Sequence, residues 1–227
     1  MTGPRTASDY EALARIAAAR HSCRAFDPRE VPRARVERML ALAQRTASWC
    51  NTQPWEVIVT EPGTTRRLAE RLTAAAAGER GSDLPGPQAY TGVYRERRRE
   101  AGYALYASLG IERADAAGRA RQALENFRFF GAPHTALITS DRDLGTYGAI
   151  DCGAYVAALL LAAESLGLGA IAQAAIATVS GAVREFLQLP ADRLVVCAVS
   201  FGYADEGHPA NSFRVGRAAL DQVVTWV

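Results

Sequence analysis

From Gly153 to Ala163 the chain runs eleven residues with Tyr155 as the sole side chain bearing a polar atom. The stretch lies inside a helical pattern from Tyr147 to Leu166, which Gly167 and Gly169 end. A helix that is apolar all round must be buried, so whatever this chain folds into is built around this segment. Eleven apolar residues are too few to cross a bilayer. The expectation is therefore a central core helix, with no membrane partner.

Around it, strand and helix signals alternate. Trp55 to Thr60, Thr135 to Thr139, Gly169 to Gln173 and Leu194 to Phe201 read as strands, and Val223 to Val227 is strand-like. Helical patterns cover Tyr10 to Ala19, with Ser8 or Asp9 as N-cap, and Thr65 to Ala77, Arg95 to Ala107, Arg113 to Phe130 and Ser180 to Leu187. A further helix begins at Val31-Pro32 and carries Val36, Met39, Leu40 and Ala43 on one face. Glycine and proline mark Gly78 to Gly92 as a loop. Strands separated by long helices indicate a layered α/β or α+β fold. With no internal linker, residues 1–227 read as one domain, with 78–130 as its variable helical and loop excursion. The apolar tail implies pairing with something, such as a partner subunit's sheet.

Composition excludes several chemistries. The 26 cations against 24 acids leave a net charge of +2, too little to argue for nucleic acid as a partner. Every cation is arginine, so a P-loop lysine or a Schiff-base lysine is impossible. Cys23, Cys50, Cys152 and Cys197 form no C-x-x-C pair and follow no secretory signal. Free thiols in a reducing cytoplasm are expected. His21, His134 and His208 lack metal-ligand spacing, so no metal site is expected.

Four segments carry chemistry. Arg20-His21-Ser22-Cys23-Arg24 offers two guanidinium forks and a hydroxyl, a donor set suited to a phosphate dianion; the arginines also read as cations at a helix C-terminus. Ser48-Trp49-Cys50-Asn51-Thr52-Gln53-Pro54-Trp55 sets amides beside flat apolar rings, as a planar heteroaromatic ligand requires; a turn with core tryptophans reads equally well. Gly169 to Ile176 places small residues after a strand, where backbone can approach a ligand closely. Its Gly-Leu-Gly (167 to 169) lacks the third glycine of a dinucleotide fingerprint. Asn211-Ser212-Phe213-Arg214, with Arg217 nearby, can bring a distant arginine to the same phosphate, or stand as a solvated loop. Arg95 to Glu100 reads as a solvated face, His134 as a packed histidine, and Glu164 as a capped or paired helix-end carboxylate.

Taken in this order the four segments resemble the FMN-dependent nitroreductase family, in Arg-His-Ser-Cys-Arg (20 to 24), Ser-Trp-Cys-Asn-Thr-Gln-Pro-Trp (48 to 55), Ala-Gln-Ala-Ala (172 to 175), and Gly-Tyr-Ala-Asp (202 to 205) with Asn-Ser-Phe-Arg (211 to 214). The resemblance implies an α+β fold, a nitroreductase-like layered sheet flanked by helices, in an intertwined homodimer with two FMN sites at the interface. It implies that Arg20, Ser22, Arg24 and Arg214 hold the FMN phosphate and ribityl chain, with His21 acting through its backbone. Ser48, Trp49, Cys50 and Asn51 would line the flavin from the other subunit, and Gln53 would meet its pyrimidine edge. Gln173, Ala174 and Ala175 would lie along the ring, with a backbone N–H near N5. NADH or NADPH would be the donor and a nitroaromatic or quinone the acceptor, by two-electron ping-pong transfer through N5 with no catalytic side chain. Tyr90, Tyr94, Tyr103, Tyr106 and Phe129 or Phe130 are candidates to shape the acceptor pocket. The alternatives are another flavoenzyme on the same scaffold (a dehydrogenase, oxidase or dehalogenase), a non-catalytic flavin-binding sensor using Cys50, or a cofactor-free interaction domain.

Overall fold

The computed structural model describes residues 7–78 and 80–227. Helix α1 (Ala7–Ala19) already contains Ser8 and Asp9, so neither serves as its N-cap. Proline at the N-cap of α2 (Arg33–Ala43) suits the helix start, and Val36, Met39 and Ala43 are its buried stripe. Strand β1 (Trp55–Val59) leads through Pro62, at the first turn, into α3 (Pro62–Ala76). Helix α4 (Gly92–Ser108) follows the glycine-rich loop and buries none of its residues. Helix α5 (Ala116–Leu124) is shorter than the expected Arg113 to Phe130. The chain leaves helical geometry at Phe129 and Phe130, which take φ of 55° and 53° before Gly131 at 77°.

Strand β2 (His134–Asp141), helix α6 (Gly145–Ser165), strand β3 (Gly169–Gln173), helix α7 (Ser180–Leu187) and strand β4 (Arg193–Gly202) complete the core. The four strands lie in the order β1-β2-β4-β3, every neighbour antiparallel. That arrangement makes the fold α+β, since parallel crossovers are what define α/β. The expected fifth strand at Val223 to Val227 is irregular chain instead, with Trp226 86% exposed. It reaches neither edge strand of its own sheet, so its backbone has no ladder to join.

Both faces of the sheet are covered, which explains why its central strands read as nearly continuous apolar runs. Leu137 and Val195 face Leu68 and Leu72 of α3 and Val183 of α7, whereas Ile138 and Val199 face Met39 of α2 and Tyr155 and Leu159 of α6. At 21 residues α6 is about 32 Å long. With a mean hydropathy of 1.4 over its apolar window, it could cross a bilayer by length and composition, contrary to the eleven-residue estimate. Here it is the core helix of a sheet, buried along Cys152, Tyr155, Val156, Leu159, Ala162 and Ala163. Its opposite stripe, Ile150, Gly153, Ala154 and Ala157, is exposed, so within one chain the helix is covered on one side only.

The loop after α3 is fastened by a residue that carried no signal in the sequence. Asp83 accepts hydrogen bonds from Ser180 Oγ (3.1 Å), Arg184 Nη2 (2.7 Å) and the Val195 N–H (2.8 Å). Its side chain is 11% exposed and that of its ion-pair partner Arg184 is 24% exposed. Removing one partner of such a pair leaves the other charge poorly solvated. Asp83→Ala is expected to lower unfolding stability by about 3 kcal/mol, measured by urea titration. A midpoint within error of wild type would show that this clip carries no stability.

Candidate functional site

The segment after α1 is sewn into the sheet edge. Cys23 N–H donates to Ala170 O (3.1 Å), and Ser22 bridges Ala170 in parallel register beside β3. Asp205 N–H donates to Ala25 O (3.1 Å) and Asp27 N–H to Tyr203 O (2.9 Å). The approach requires glycine at 169, because a Cβ there would lie 2.8 Å from Cys23 Sγ. The buried side chain of Asn211 is the pin: Oδ1 accepts from Arg24 N–H (2.7 Å), and Nδ2 donates to Ala25 O (2.9 Å) and Asp205 O (2.8 Å). Arg214 Nη1 donates to Asn211 O (2.8 Å), and the Arg24 guanidinium lies 5.5 Å from the Phe213 ring centroid.

This stitching brings two segments 190 positions apart, from Arg24 to Arg214, to one cavity of about 580 Å³. Arg20, Arg24, Arg214 and Arg217 line it, with His21 and Ser22, and Glu164 and Glu206 share its wall. Desolvation holds the half-buried Arg24 guanidinium below the ordinary arginine range, so an anion beside it would restore the stabilisation that burial removes. Arg20 also directly follows the last residue of α1, so the structure is compatible with both readings of these arginines, a helix-end cation and a shared cavity wall. Glu164 faces the cavity from the last turn of α6 and forms no direct ion pair with any described residue.

The second segment lies elsewhere. Trp49 N–H donates to Asp151 Oδ2 (3.0 Å), and its ring meets Tyr147 edge-on at 4.2 Å, which fixes the loop at the N-terminal end of α6. Cys50, Asn51 and Gln53 take φ of 50°, 55° and 48°, a conformation costing about 1–3 kcal/mol per non-glycine residue and common at functional sites. Gln53 N–H donates to Ser48 Oγ (2.9 Å) across the turn. Trp55 Nε1 donates to Gln44 Oε1 (3.0 Å), Gln44 Nε2 to Gln53 Oε1 (3.1 Å) and Gln53 Nε2 to Asn51 O (3.3 Å), a relay that orients the exposed amide. The two tryptophans divide: Trp55 is core at 7% exposure and Trp49 is 57% exposed.

The third segment follows β3, an edge strand whose open side begins just past Ala170. Ala172 and Ala174 are exposed and Ala175 is half-buried. The Gln173 side chain is not available: it is buried, accepting from Ser200 Oγ and donating to Asn126 O (2.8 Å). Any role of Gln173 toward a ligand is therefore through its backbone. Asn126 opens the strained turn at Phe129 and Phe130, a neighbour of this segment that the sequence pattern did not reveal.

A single chain brings together Arg20, His21, Ser22, Arg24 and Arg214, but not Ser48 to Gln53. Asp151 and Glu164 lie about 20 Å apart along α6. Strands β1 and β3, next to the two segments, are opposite edges of the sheet, three strand spacings or about 14 Å apart. A separate concavity of about 860 Å³, between α3 and the 128–133 turn, is lined by none of the candidate residues.

His134 is a packed histidine as expected. Its Nε2 accepts from Val31 N–H (3.1 Å) and its Nδ1 faces Thr60 O (3.0 Å). Burial pushes the thiols of Cys23 and Cys152 from the ordinary 9.0 up to about 11. Between those values the unfolded chain has released the protons that the folded chain keeps, so stability is full below pH 9 and falls as pH rises toward 11. Burial pushes the Cys197 thiol further, to about 12, and the three thiols together predict a loss of about 4 kcal/mol per pH unit over that interval, checked by urea titration at pH 8, 9 and 10. A flat profile would contradict their burial. Native labelling with a thiol reagent at pH 8 should modify exposed Cys50 first.

Comparison with known proteins bears on the family and the fold. A family model described as the nitroreductase family matches residues 17–203. The chain is 36% identical over 223 residues to nitroreductase NfnB of Mycolicibacterium smegmatis, covering 97% of this chain and 94% of that one. It is 35% identical to a 4-nitrobenzoate reductase of a Nocardioides species, over 96% and 90% of the two chains. The crystal structure of the FMN-dependent NfnB from Mycobacterium smegmatis in complex with NADPH superposes with a TM-score of 0.91, at 34% identity over 96% of this chain and 99% of that one.

Proposed function

This chain belongs to the nitroreductase family, and on that premise we propose that it reduces nitroaromatic compounds with electrons from NADPH or NADH through bound FMN. It is an NAD(P)H-dependent oxidoreductase of the FMN type. The observation that carries the reading is the cavity at which Arg20, Ser22, Arg24, Arg214 and Arg217 meet. Guanidinium forks and a hydroxyl around one pocket, without lysine, are the donor chemistry for a phosphate monoester. The residues present fit the phosphate end of FMN.

From that anchor Ala172, Gln173, Ala174 and Ala175 would hold the ring end, the exposed alanines leaving room for a flat ring and the backbone offering N–H groups to it. Ser48, Trp49, Cys50, Asn51 and Gln53 complete the site from a second copy of the chain, since within one chain they lie at the other end of α6. The exposed stripe of Ile150, Gly153, Ala154 and Ala157 is the surface a second copy would bury. The irregular apolar tail is a further candidate for that interface. Bound FMN would supply the hydride chemistry, taking two electrons from the nicotinamide and passing them to the acceptor. The chain's own residues hold it: arginines neutralise the phosphate, the strained loop presents Asn51 and Gln53, and protons come from water without a dedicated base. Donor and acceptor use one open face in turn, which gives ping-pong order and admits quinones beside nitroaromatics. Residues 1–227 act as one FMN-binding unit with 78–130 near the acceptor, in the reducing cytoplasm that the free thiols suit.

The test is an anaerobic absorption spectrum of the purified protein. A yellow protein should bleach on addition of NADPH or NADH and regain colour with a nitroaromatic. A yellow protein that stays oxidised with both nucleotides would contradict the reductase reading. Each charge-assisted phosphate contact contributes about 1.5–3 kcal/mol, so Arg24→Ala should weaken FMN binding roughly 10- to 100-fold. Fluorescence titration of free flavin measures it, and an unchanged affinity would remove Arg24 from the site.

A further inference from the structure

The two carboxylates in the arginine cavity have no role in the reading above. Glu206 is exposed on its rim, while Glu164 is half-buried in the last turn of α6. A helix C-terminus is an unfavourable place for a negative charge. Among the described residues Glu164 has no direct ion pair to offset that. Four arginines against two glutamates leave these charged residues of the cavity a net charge of +2.

We propose that Glu164 and Glu206 are specificity-determining residues that reduce the advantage this arginine cavity would otherwise give more highly charged polyphosphates over a dianionic phosphate monoester. The inference rests on the cavity taking the FMN phosphate. Four arginines alone would form a general polyanion sink, open to the pyrophosphate and additional phosphate of nucleotides, including the enzyme's own electron donor. Two carboxylates subtract from the attraction in proportion to ligand charge, so they oppose a trianion or tetra-anion more than a dianion. A cavity of about 580 Å³ is roughly 10 Å across. At that distance and an effective dielectric constant of about 50, one carboxylate weakens binding about threefold for each unit of ligand charge.

The experiment uses the full-length protein stripped of flavin, at pH 8 and low ionic strength so that screening is small. FMN binding is followed by flavin fluorescence, and inorganic phosphate and inorganic pyrophosphate are titrated as displacing anions. Glu164→Gln should tighten phosphate, a dianion, about tenfold and pyrophosphate, a trianion, about thirtyfold. Glu206→Gln should act in the same sense but less, because its exposed charge is screened by water. Glu70→Gln, which removes the same net charge beside a different cavity, should change neither. Equal shifts for the two anions, or none, would overturn the proposal while leaving the cofactor reading intact. A wild-type protein that binds no FMN, or whose FMN phosphate cannot displace, would overturn both.

Discussion

Helix α6 is the rod to which the rest of the molecule is fastened. Its buried stripe from Cys152 to Ala163 closes one face of the antiparallel sheet. Its N-terminal end holds the Trp49 loop through Asp151 and Tyr147. Its C-terminal end turns at Gly167 into β3 and presents Glu164 to the arginine cavity. Because the helix is about 32 Å long and rigid, the features at its two ends cannot approach each other within one chain. The same helix leaves an apolar stripe uncovered. One element thus both separates the two candidate segments and exposes the apolar surface on which, in the proposed function, a second copy would bring them together.

The local devices serve that geometry. Asn211 spends its side chain on three main-chain partners, and in doing so sets Arg24 and Arg214 on one wall. Glycine at 169 lets the Cys23 segment lie against β3 without a clash. Left-handed backbone at Cys50, Asn51 and Gln53 is held in place by Asp151, Ser48 and Gln44. Strain at such positions persists only when neighbours over-determine it, and here each neighbour is a specific hydrogen bond. The site is accordingly rigid where it would bind phosphate and strained where it would present amides.

The central architecture was legible because periodicity records burial. The strands around Ile58, Leu137, Ala170 and Val199 are where their apolar runs place them, and the arginine segments meet as their donor chemistry suggests. What was not legible depends on long-range partners. Asp83 looks like any loop aspartate until Ser180, Arg184 and Val195 close on it from about a hundred residues away. That the Gln173 side chain turns inward was not legible either, because Ser200 and Asn126 satisfy its amide inside the core and leave only its backbone for a ligand. The strand-like tail at Val223 to Val227 misled because an apolar run signals burial without saying against which chain. The shortening of α5 comes from the Asp115 cap at its start and from turns after Leu124, and the left-handed backbone at Phe129 and Phe130 beyond them has no hint in their side chains.

The most direct test of the account is whether one site is built from two chains. One copy would carry Arg20→Ala with Arg24→Ala, and a differently tagged copy Ser48→Ala with Asn51→Ala. Mixed dimers purified through both tags are titrated with FMN at a concentration that saturates wild type but neither parent variant. If each site draws its arginines from one chain and its Ser48 to Gln53 loop from the other, a mixed dimer has one intact site and binds one FMN. If each site lies within a single chain, both sites are damaged and the mixed dimer binds none, which would contradict the account.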